Sequence, residues 1–520
     1  MNQRDADGRQ LSVAPRSLTR RQTTAATTTN CVCRFGASAR PIRLGGLAAT
    51  LFFIVASLAT SAPADDAPAT DEVPIKNAGF SAGDVGYLVV DLDGKREVAK
   101  HNPDQPFVPA SVAKIATFVP ALEVLGGDHQ FTTTISVNGS IADEVLTGSV
   151  ILRGGGDPFL TGDDLLDMAK QLAASGIKQV NGEFLYDATS LMQVPEIDAT
   201  QPEAADYNCG VSSLSVDFNR VRLDWKSDGV DRSATAAAVS DNLTSPLGSI
   251  DAEFADHALP GPFVRGGSPS DDRWLLSSDL PATGTAWLPV ADPSRIAAEL
   301  FRAVAANEGI VLPEPTPGAT SDGARELVRH DSDPLSDIAR QALRSSNNLA
   351  AELIGLATSR ALTGRELNLE GSASTLEAWW RSHLPNANWT DFFLSNHSGL
   401  SSKSRATPRQ VVTMLEEAVG LPSSVDFPDM LRPLGWKGIA GSGHVKTGTM
   451  SYVNGLAGYI DTVAGHRLVF AIFFNDTGKR AALDATFDPR VLAIDSQSRS
   501  WRDRALKLED DLTKSWAGRF

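Results

Sequence analysis

Pro109-Ala110-Ser111-Val112-Ala113-Lys114-Ile115-Ala116-Thr117 is the stretch on which the reading of this chain turns. It places a serine and a lysine three apart, just after a proline and inside an apolar helical pattern. Residues at that spacing share one face of a helix, so the Lys114 ammonium lies near the Ser111 hydroxyl. A serine hydroxyl is a poor nucleophile until a neighbour takes its proton. A lysine can take it once burial or a nearby cation lowers its pKa. The start of a helix also points backbone N–H groups at developing negative charge. Alone, the spacing is common, and a helix cap followed by a surface lysine explains it as well.

Two further patterns shift that balance. Ser346-Asn347-Asn348 gives Ser-x-Asn and Lys446-Thr447-Gly448 gives Lys-Thr-Gly, in the chain order of penicillin-interacting serine enzymes. Ser346 falls within a helical pattern over Leu335–Thr358, where a short turn between two buried helices would present Ser346 and Asn348 to a cleft. Lys446-Thr447-Gly448-Thr449 follows Ile439–Val445 and precedes strand-like runs at Leu456–Asp461 and Arg467–Asn475. On a cleft-lining strand, Gly448 lets a substrate backbone approach closely. Lys446 would add positive charge there, and Thr447 a donor for a carboxylate. Ser346 lies 235 residues after Ser111, and Lys446 lies 100 after Ser346. If all three meet in one cleft, whole domains are inserted in the first gap.

Length and composition set the frame. A chain of 520 residues with 42% hydrophobic content implies two or three globular domains. The formal charge of −16 argues against nucleic acid as a partner. Eight arginines and two aspartates precede the apolar run Leu47–Leu58, and Ser61-Ala62-Pro63-Ala64 offers small residues for cleavage. That order is that of a secretory signal over 1–64, with an uncleaved anchor or an early-assigned start as alternatives. Arg20-Arg21 lies too far from the apolar run to favour twin-arginine export. Residues 65–75 read as a flexible linker. Cys31 and Cys33 precede the apolar run, which leaves Cys209 alone in the remainder as a buried small hydrophobe. The histidines are scattered and no His-Glu-x-x-His occurs, so neither a metal nor another cofactor is expected.

Along the chain, Gly79-Phe80-Ser81-Ala82-Gly83 matches the nucleophile elbow Gly-x-Ser-x-Gly. That elbow needs a strand before it, whereas here the strand follows, so the match is set aside. Val85–Asp91 and Arg96–His101 read as a β-hairpin. Pro120 should kink the Ser111 helix and Gly126-Gly127 should stop it. Short strands begin near 130. Gly154-Gly155-Gly156-Asp157-Pro158 reads as a tightly packed turn. Asp163 is expected to cap an amphipathic helix closed by Gly176, and strands follow at Gly182–Asp187 and Leu214–Trp225. Residues 226–285 suit a small β-rich module or long loops. Ser294–Glu308 and Pro408–Ala418 read as helices. The tail repeats Trp501, Ala505, Leu508, Leu512, Trp516 and Phe520 at helical spacing. Its balanced charge favours packing on the protein's own body over a peripheral membrane contact.

These segments together resemble the class C low-molecular-mass penicillin-binding proteins, D-alanyl-D-alanine carboxypeptidases/endopeptidases of peptidoglycan. The resemblance spans most of 80–480. It is carried by Pro109–Lys114, Gly154–Pro158, Val211–Val216, Ser346–Glu352, Ser398-Gly399-Leu400-Ser401 and Lys446–Thr449. It departs at Asn396-His397, where the family usually has an Asp-Gly-like pair, and at Asn347, a position often held by Asp.

The resemblance implies an α/β (α+β) fold with a serine transpeptidase-like catalytic domain, an antiparallel sheet flanked by helices and a helical subdomain. Expected boundaries are 76–130 plus 290–490 for that discontinuous domain, 131–289 for inserted β-rich domains and 491–520 for a C-terminal amphipathic helix. By the same resemblance Ser111 attacks the carbonyl between two D-alanines and Lys114 is the base. The N–H groups of Ser111 and Thr449 hold the oxyanion. Ser346 passes a proton to the leaving amine, and Asn348 holds the substrate amide and helps fix Lys114. Lys446 and Thr447 take the terminal carboxylate. Peptidoglycan stem peptides are the implied substrates, β-lactams the implied covalent inhibitors, and the periplasm or cell envelope the implied location. The alternatives are a β-lactamase-like hydrolase and a catalytically silent penicillin-binding sensor or scaffold. The sequence leaves open the balance of carboxypeptidase and endopeptidase activity and the oligomeric state.

Overall fold

The computed structural model describes residues 72–520, apart from 229–230, 269, 423–424 and 493–495. The expected signal over 1–64 and most of the 65–75 linker lie outside these residues. The linker's described end is helical, because α1 (Glu72–Asn77) buries Ile75. The hairpin β1 (Val85–Asp91) and β2 (Arg96–His101) comes next. A 3-10 turn, Ala110–Ala113, then runs straight into α2 (Lys114–Val124). After them come β3 (Thr132–Ala142), β4 (Val145–Arg153), α3 (Gly162–Ala174) and β5 (Gln179–Asp187). Seven strands follow: β6 (Arg220–Ser227), β7 (Arg232–Val239), β8 (Thr244–Pro246), β9 (Asp251–Phe254), β10 (Phe263–Arg265), β11 (Arg273–Leu276) and β12 (Thr283–Pro289). Next are α4 (Pro293–Asn307), β13 (Pro315–Pro317), β14 (Arg325–Asp331), α5 (Leu335–Ser345), α6 (Asn348–Thr363) and α7 (Leu369–His383). The chain ends with α8 (Pro408–Val419), α9 (Phe427–Met430), β15 (Arg432–Gly435), β16 (Ser442–Met450), β17 (Val453–Asp461), β18 (Arg467–Asn475), α10 (Thr477–Ala485) and α11 (Ser496–Arg519).

A six-stranded antiparallel sheet, ordered β15-β16-β17-β18-β1-β2, joins the two ends of the described chain. Its middle strands are covered on both faces, which is why β18 reads as the unbroken apolar run Leu468–Phe474. One face packs on α2, α5, α6, α7 and α8. The other is covered by α1 and α11 through Ile75, Trp501, Leu508, Leu512 and Trp516. The tail tryptophans are therefore buried in the protein, as the charge balance of the helix suggested. No helix among the described residues is long and apolar enough to cross a membrane.

Helix α2 is buried along its length from Lys114 to Leu122. Pro120 has no N–H, so the Ala116 carbonyl loses its partner one turn on. The Trp380 indole, from α7, donates to that carbonyl at 2.9 Å instead. The helix passes through Pro120 and stops at Val124, before Gly126.

A second core lies between the ends of that sheet in sequence. It holds a mixed five-stranded sheet, β13-β5-β4-β3-β14, a four-stranded sheet, β12-β6-β7-β8, and a three-stranded sheet, β10-β11-β9. Helices α3 and α4 pack in it, as do Ile310, Leu312 and Val328. Past residue 289, α4 and Val328 of β14 thus still pack in this second core. Two local expectations also change. Thr161, not Asp163, is the N-cap of α3, accepting from the Asp164 amide while Asp164 reaches back to Thr161. The strand expected from Leu214 starts only at Arg220. Before it, Asp217, Phe218 and Asn219 all have positive φ (49°, 61° and 54°). The Asn219 side chain holds that turn, accepting from the Val216 amide and donating to the Gly210 carbonyl.

Candidate active site

The 3-10 turn before α2 carries Ser111 half-buried at its surface and Lys114 fully buried one turn later. The Lys114 Nζ is 3.0 Å from Ser111 Oγ, as the three-residue spacing requires. It also lies 2.8 Å from Asn348 Oδ1 and 2.8 Å from the Ser398 carbonyl oxygen. Burial pushes the Lys114 pKa down to about 7, against the opposing pull of the Glu352 carboxylate. Near neutrality much of this side chain is a free amine.

Ser346 occupies the turn between α5 and α6 in the left-handed region, φ 58°. Asn347 is the N-cap of α6, its side chain accepting from the Ala350 amide at 2.9 Å. Asn348 therefore opens α6 facing α2. Its amide nitrogen donates to the Tyr207 carbonyl at 3.1 Å, which turns its oxygen towards Lys114.

Lys446 stands buried on β16 and donates to Ser346 Oγ and to the Thr447 carbonyl, both at 2.8 Å. Burial, helped by the charges of Lys114 and Arg432, holds its pKa well below the usual lysine range. Gly448 lets β16 lie flush against the Ser111 turn. A Cβ there would come within 2.6 Å of the Pro109 oxygen and 3.2 Å of the Ser111 nitrogen. Thr447 is half-buried and Thr449 exposed further along the same strand. Ser111, Lys114, Ser346, Asn348 and Lys446 thus form two hydrogen-bonded groups, with Thr447, Gly448 and Thr449 on the strand beside them. Ser81 of the set-aside elbow is an exposed turn residue whose amide donates to Asp84.

A profile of the D-Ala-D-Ala carboxypeptidase 3 (S13) family matches residues 74–491. The chain belongs to the S13 family. Among curated relatives it is 29% identical over 422 residues to a D-alanyl-D-alanine carboxypeptidase of Actinomadura sp. (strain R39), covering 75% of this chain and 77% of the relative. It is 23% identical over 465 residues to the D-alanyl-D-alanine carboxypeptidase DacB of Haemophilus influenzae, covering 82% and 92%. The crystal structure of penicillin binding protein 4 (dacB) from Haemophilus influenzae superposes with a TM-score of 0.68 at 18% identity, over 84% of this chain and 96% of the other. This S13 member is a serine hydrolase of the D-Ala-D-Ala carboxypeptidase class.

Within the S13 chain both departures from the family pattern have local explanations. Asn and Asp cap a helix about equally well, so Asn347 changes little. Asn396 Oδ1 accepts from the Gly399 amide at 3.0 Å, work that an Asp would do as well. His397 is fully buried, and burial pushes its pKa down to about 3, so its ring is neutral. That ring contacts α6 at Gly355, where a Cβ would come within 2.2 Å of it, and its Nε2 pairs with Ser372 Oγ at 2.7 Å. Sequence reasoning gave no role to the Ser398 carbonyl or the Tyr207 carbonyl. Backbone acceptors carry no side-chain signature to find them by.

Proposed function

We propose that this protein cleaves D-Ala-D-Ala-type bonds of peptidoglycan stem peptides through an acyl-enzyme on Ser111, outside the cytoplasm. Its catalytic unit would comprise about residues 76–131 and 332–520, with 132–331 inserted.

The arrangement around Lys114 Nζ carries the reading. Two of its three neighbours, Asn348 Oδ1 and the Ser398 carbonyl, can only accept hydrogen bonds. A neutral lysine has two N–H groups and one lone pair. With the N–H groups spent on the acceptors, the lone pair faces the Ser111 hydroxyl, the one neighbour with a proton to give. Ser111 Oγ attacks the penultimate D-Ala carbonyl as its proton passes to Lys114. The oxyanion faces the Ser111 and Thr449 amides.

Lys446 donates to Ser346 Oγ, which leaves the Ser346 proton free for the departing nitrogen; the proton that Lys114 took from Ser111 then replaces it. Expulsion of the amine leaves an ester on Ser111, which water then cleaves. Lys446 and Thr447 hold the terminal carboxylate. β-Lactams carry the same acyl carbonyl and stop at the ester.

Incubation with monomeric and cross-linked muropeptides, followed by mass spectrometry, tests the substrate. Release of D-alanine from monomers, or conversion of dimers to monomers, is expected. Unchanged mixtures of both kinds would refute the reading.

A further inference from the structure

One buried carboxylate near the site has no part in the steps above. Glu352 is fully buried on α6, one turn after Asn348, so the two share a helix face. Its two oxygens accept from consecutive backbone amides, Oε2 from His397 at 3.1 Å and Oε1 from Ser398 at 2.8 Å. The carbonyl of that same Ser398 is one of the two acceptors at Lys114 Nζ.

The turn that carries Ser398 is gripped from every side. Thr117 Oγ1 donates to the His397 carbonyl at 2.9 Å. The His397 ring lies against Gly355, and a Cβ on Gly399 (φ 72°) would fall 2.0 Å from the Ala110 oxygen. Ala110 itself has a positive φ of 46°, immediately before the nucleophile.

We propose that Glu352 is a positioning residue for acylation: its carboxylate aims the Ser398 carbonyl at Lys114 and supplies the negative charge that Lys114 faces once it has taken a proton. This rests on the acyl-transfer function proposed above.

The charge balance supports it. Lys114 and Lys446 repel one another through a buried site. Arg432 adds positive charge from β15. Cys209, from another element, lies in the field of Glu352, and burial holds its thiol protonated, its pKa pushed up to about 12; the His397 ring, turned to Gly355 and Ser372, is neutral. Burial raises the Glu352 pKa, but the groups that hydrogen-bond to it, the His397 and Ser398 amides and the Ser398 side chain, all favour the carboxylate. The field of that carboxylate raises the Lys114 pKa and so sets the pH at which the base becomes free.

The test is the acylation rate by a fluorescent penicillin, followed from about pH 5 to about pH 9 for the wild type, Glu352→Gln and Glu352→Asp. Loss of the negative charge in Glu352→Gln should move the rising limb to lower pH by about one unit or more. Its plateau should fall at least ~10-fold, because the Ser398 carbonyl is no longer held. Glu352→Asp keeps the charge but not the reach: its limb should stay in place while its plateau falls. A Glu352→Gln protein with the wild-type limb overturns the inference. Should Glu352→Gln not fold, a Glu352→Asp protein with the wild-type plateau overturns it equally. A wild type that takes up no penicillin at any pH would overturn the function itself, a different outcome.

Discussion

At the scale of single residues, the proposed base, Lys114, is the decisive element. Because burial brings the Lys114 pKa to about 7, acylation should rise with pH through that value and level off above it. The sign follows from the free amine being the active form. Measured acylation rates that fall across the same range would contradict this. Lys114→Ala should slow acylation by about 10²–10⁴-fold, the usual worth of a general base, without loss of the folded state by circular dichroism. Gly399→Ala should cost about 1–3 kcal/mol of stability and slow acylation as well. Its Cβ would meet the Ala110 oxygen at 2.0 Å, and it would occupy a positive φ. Denaturant unfolding beside an acylation assay separates the two effects. The side chains proposed to do the chemistry were legible, since Ser111, Lys114, Ser346, Asn348 and Lys446 announce themselves by type and spacing. Glu352 was quoted only as the end of a motif. Its significance depends on which backbone amides face it, and spacing along one helix cannot give that.

At the scale of elements, local periodicity worked where burial is one-sided or complete. The first hairpin, α4, α8 and the last two strands fall close to where the sequence put them. Helix α7 was not anticipated, because Gly371, Ser372, Ser374 and Thr375 fill its first half with small, weakly helix-forming residues. Yet it supplies Trp380 to the Ala116 carbonyl left open by Pro120. Trp380→Phe should therefore cost more than its lost volume, by about 1–3 kcal/mol for the unpaired buried carbonyl. Urea unfolding of Trp380→Phe and of a Trp380→Phe/Pro120→Ala double variant checks it, since restoring the helical N–H at 120 should recover part of the loss. On the other face of the sheet, Glu509 of α11 is buried against Asn454 at 2.7 Å, and burial pushes its pKa up to about 8. The folded state thus holds this proton more tightly than the unfolded chain. Stability from this group is complete below the unfolded carboxyl pKa of about 4.3 and is lost as pH rises to about 8. Over that window the slope is at most ~1.4 kcal/mol per pH unit, and Glu509→Gln should flatten it. Equal slopes in both proteins would show that Glu509 ionises without cost.

At the scale of the whole molecule, two cores meet at α6, beside Lys114. Leu191, Ile197, Cys209 and Val211 of the long insertion pack on Leu349, Leu353 and Leu356 of α6, and the Tyr207 carbonyl orients the Asn348 amide. The gap between motifs suggested an insertion, but spacing carries no mark of where one ends; α4 and Val328 of β14 pack in the second core. Three segments 235 and 100 residues apart come together here: Lys114 contacts Asn348, Lys446 contacts Ser346, and Gly448 lies against the Ser111 turn. The most direct test of the claim that this meeting makes one hydroxyl reactive is the intact mass of the protein after exposure to penicillin, with the modified peptide then sequenced. We predict a single adduct on the peptide carrying Ser111, absent from Ser111→Ala. An unchanged mass, or an adduct that persists in Ser111→Ala, would contradict the account.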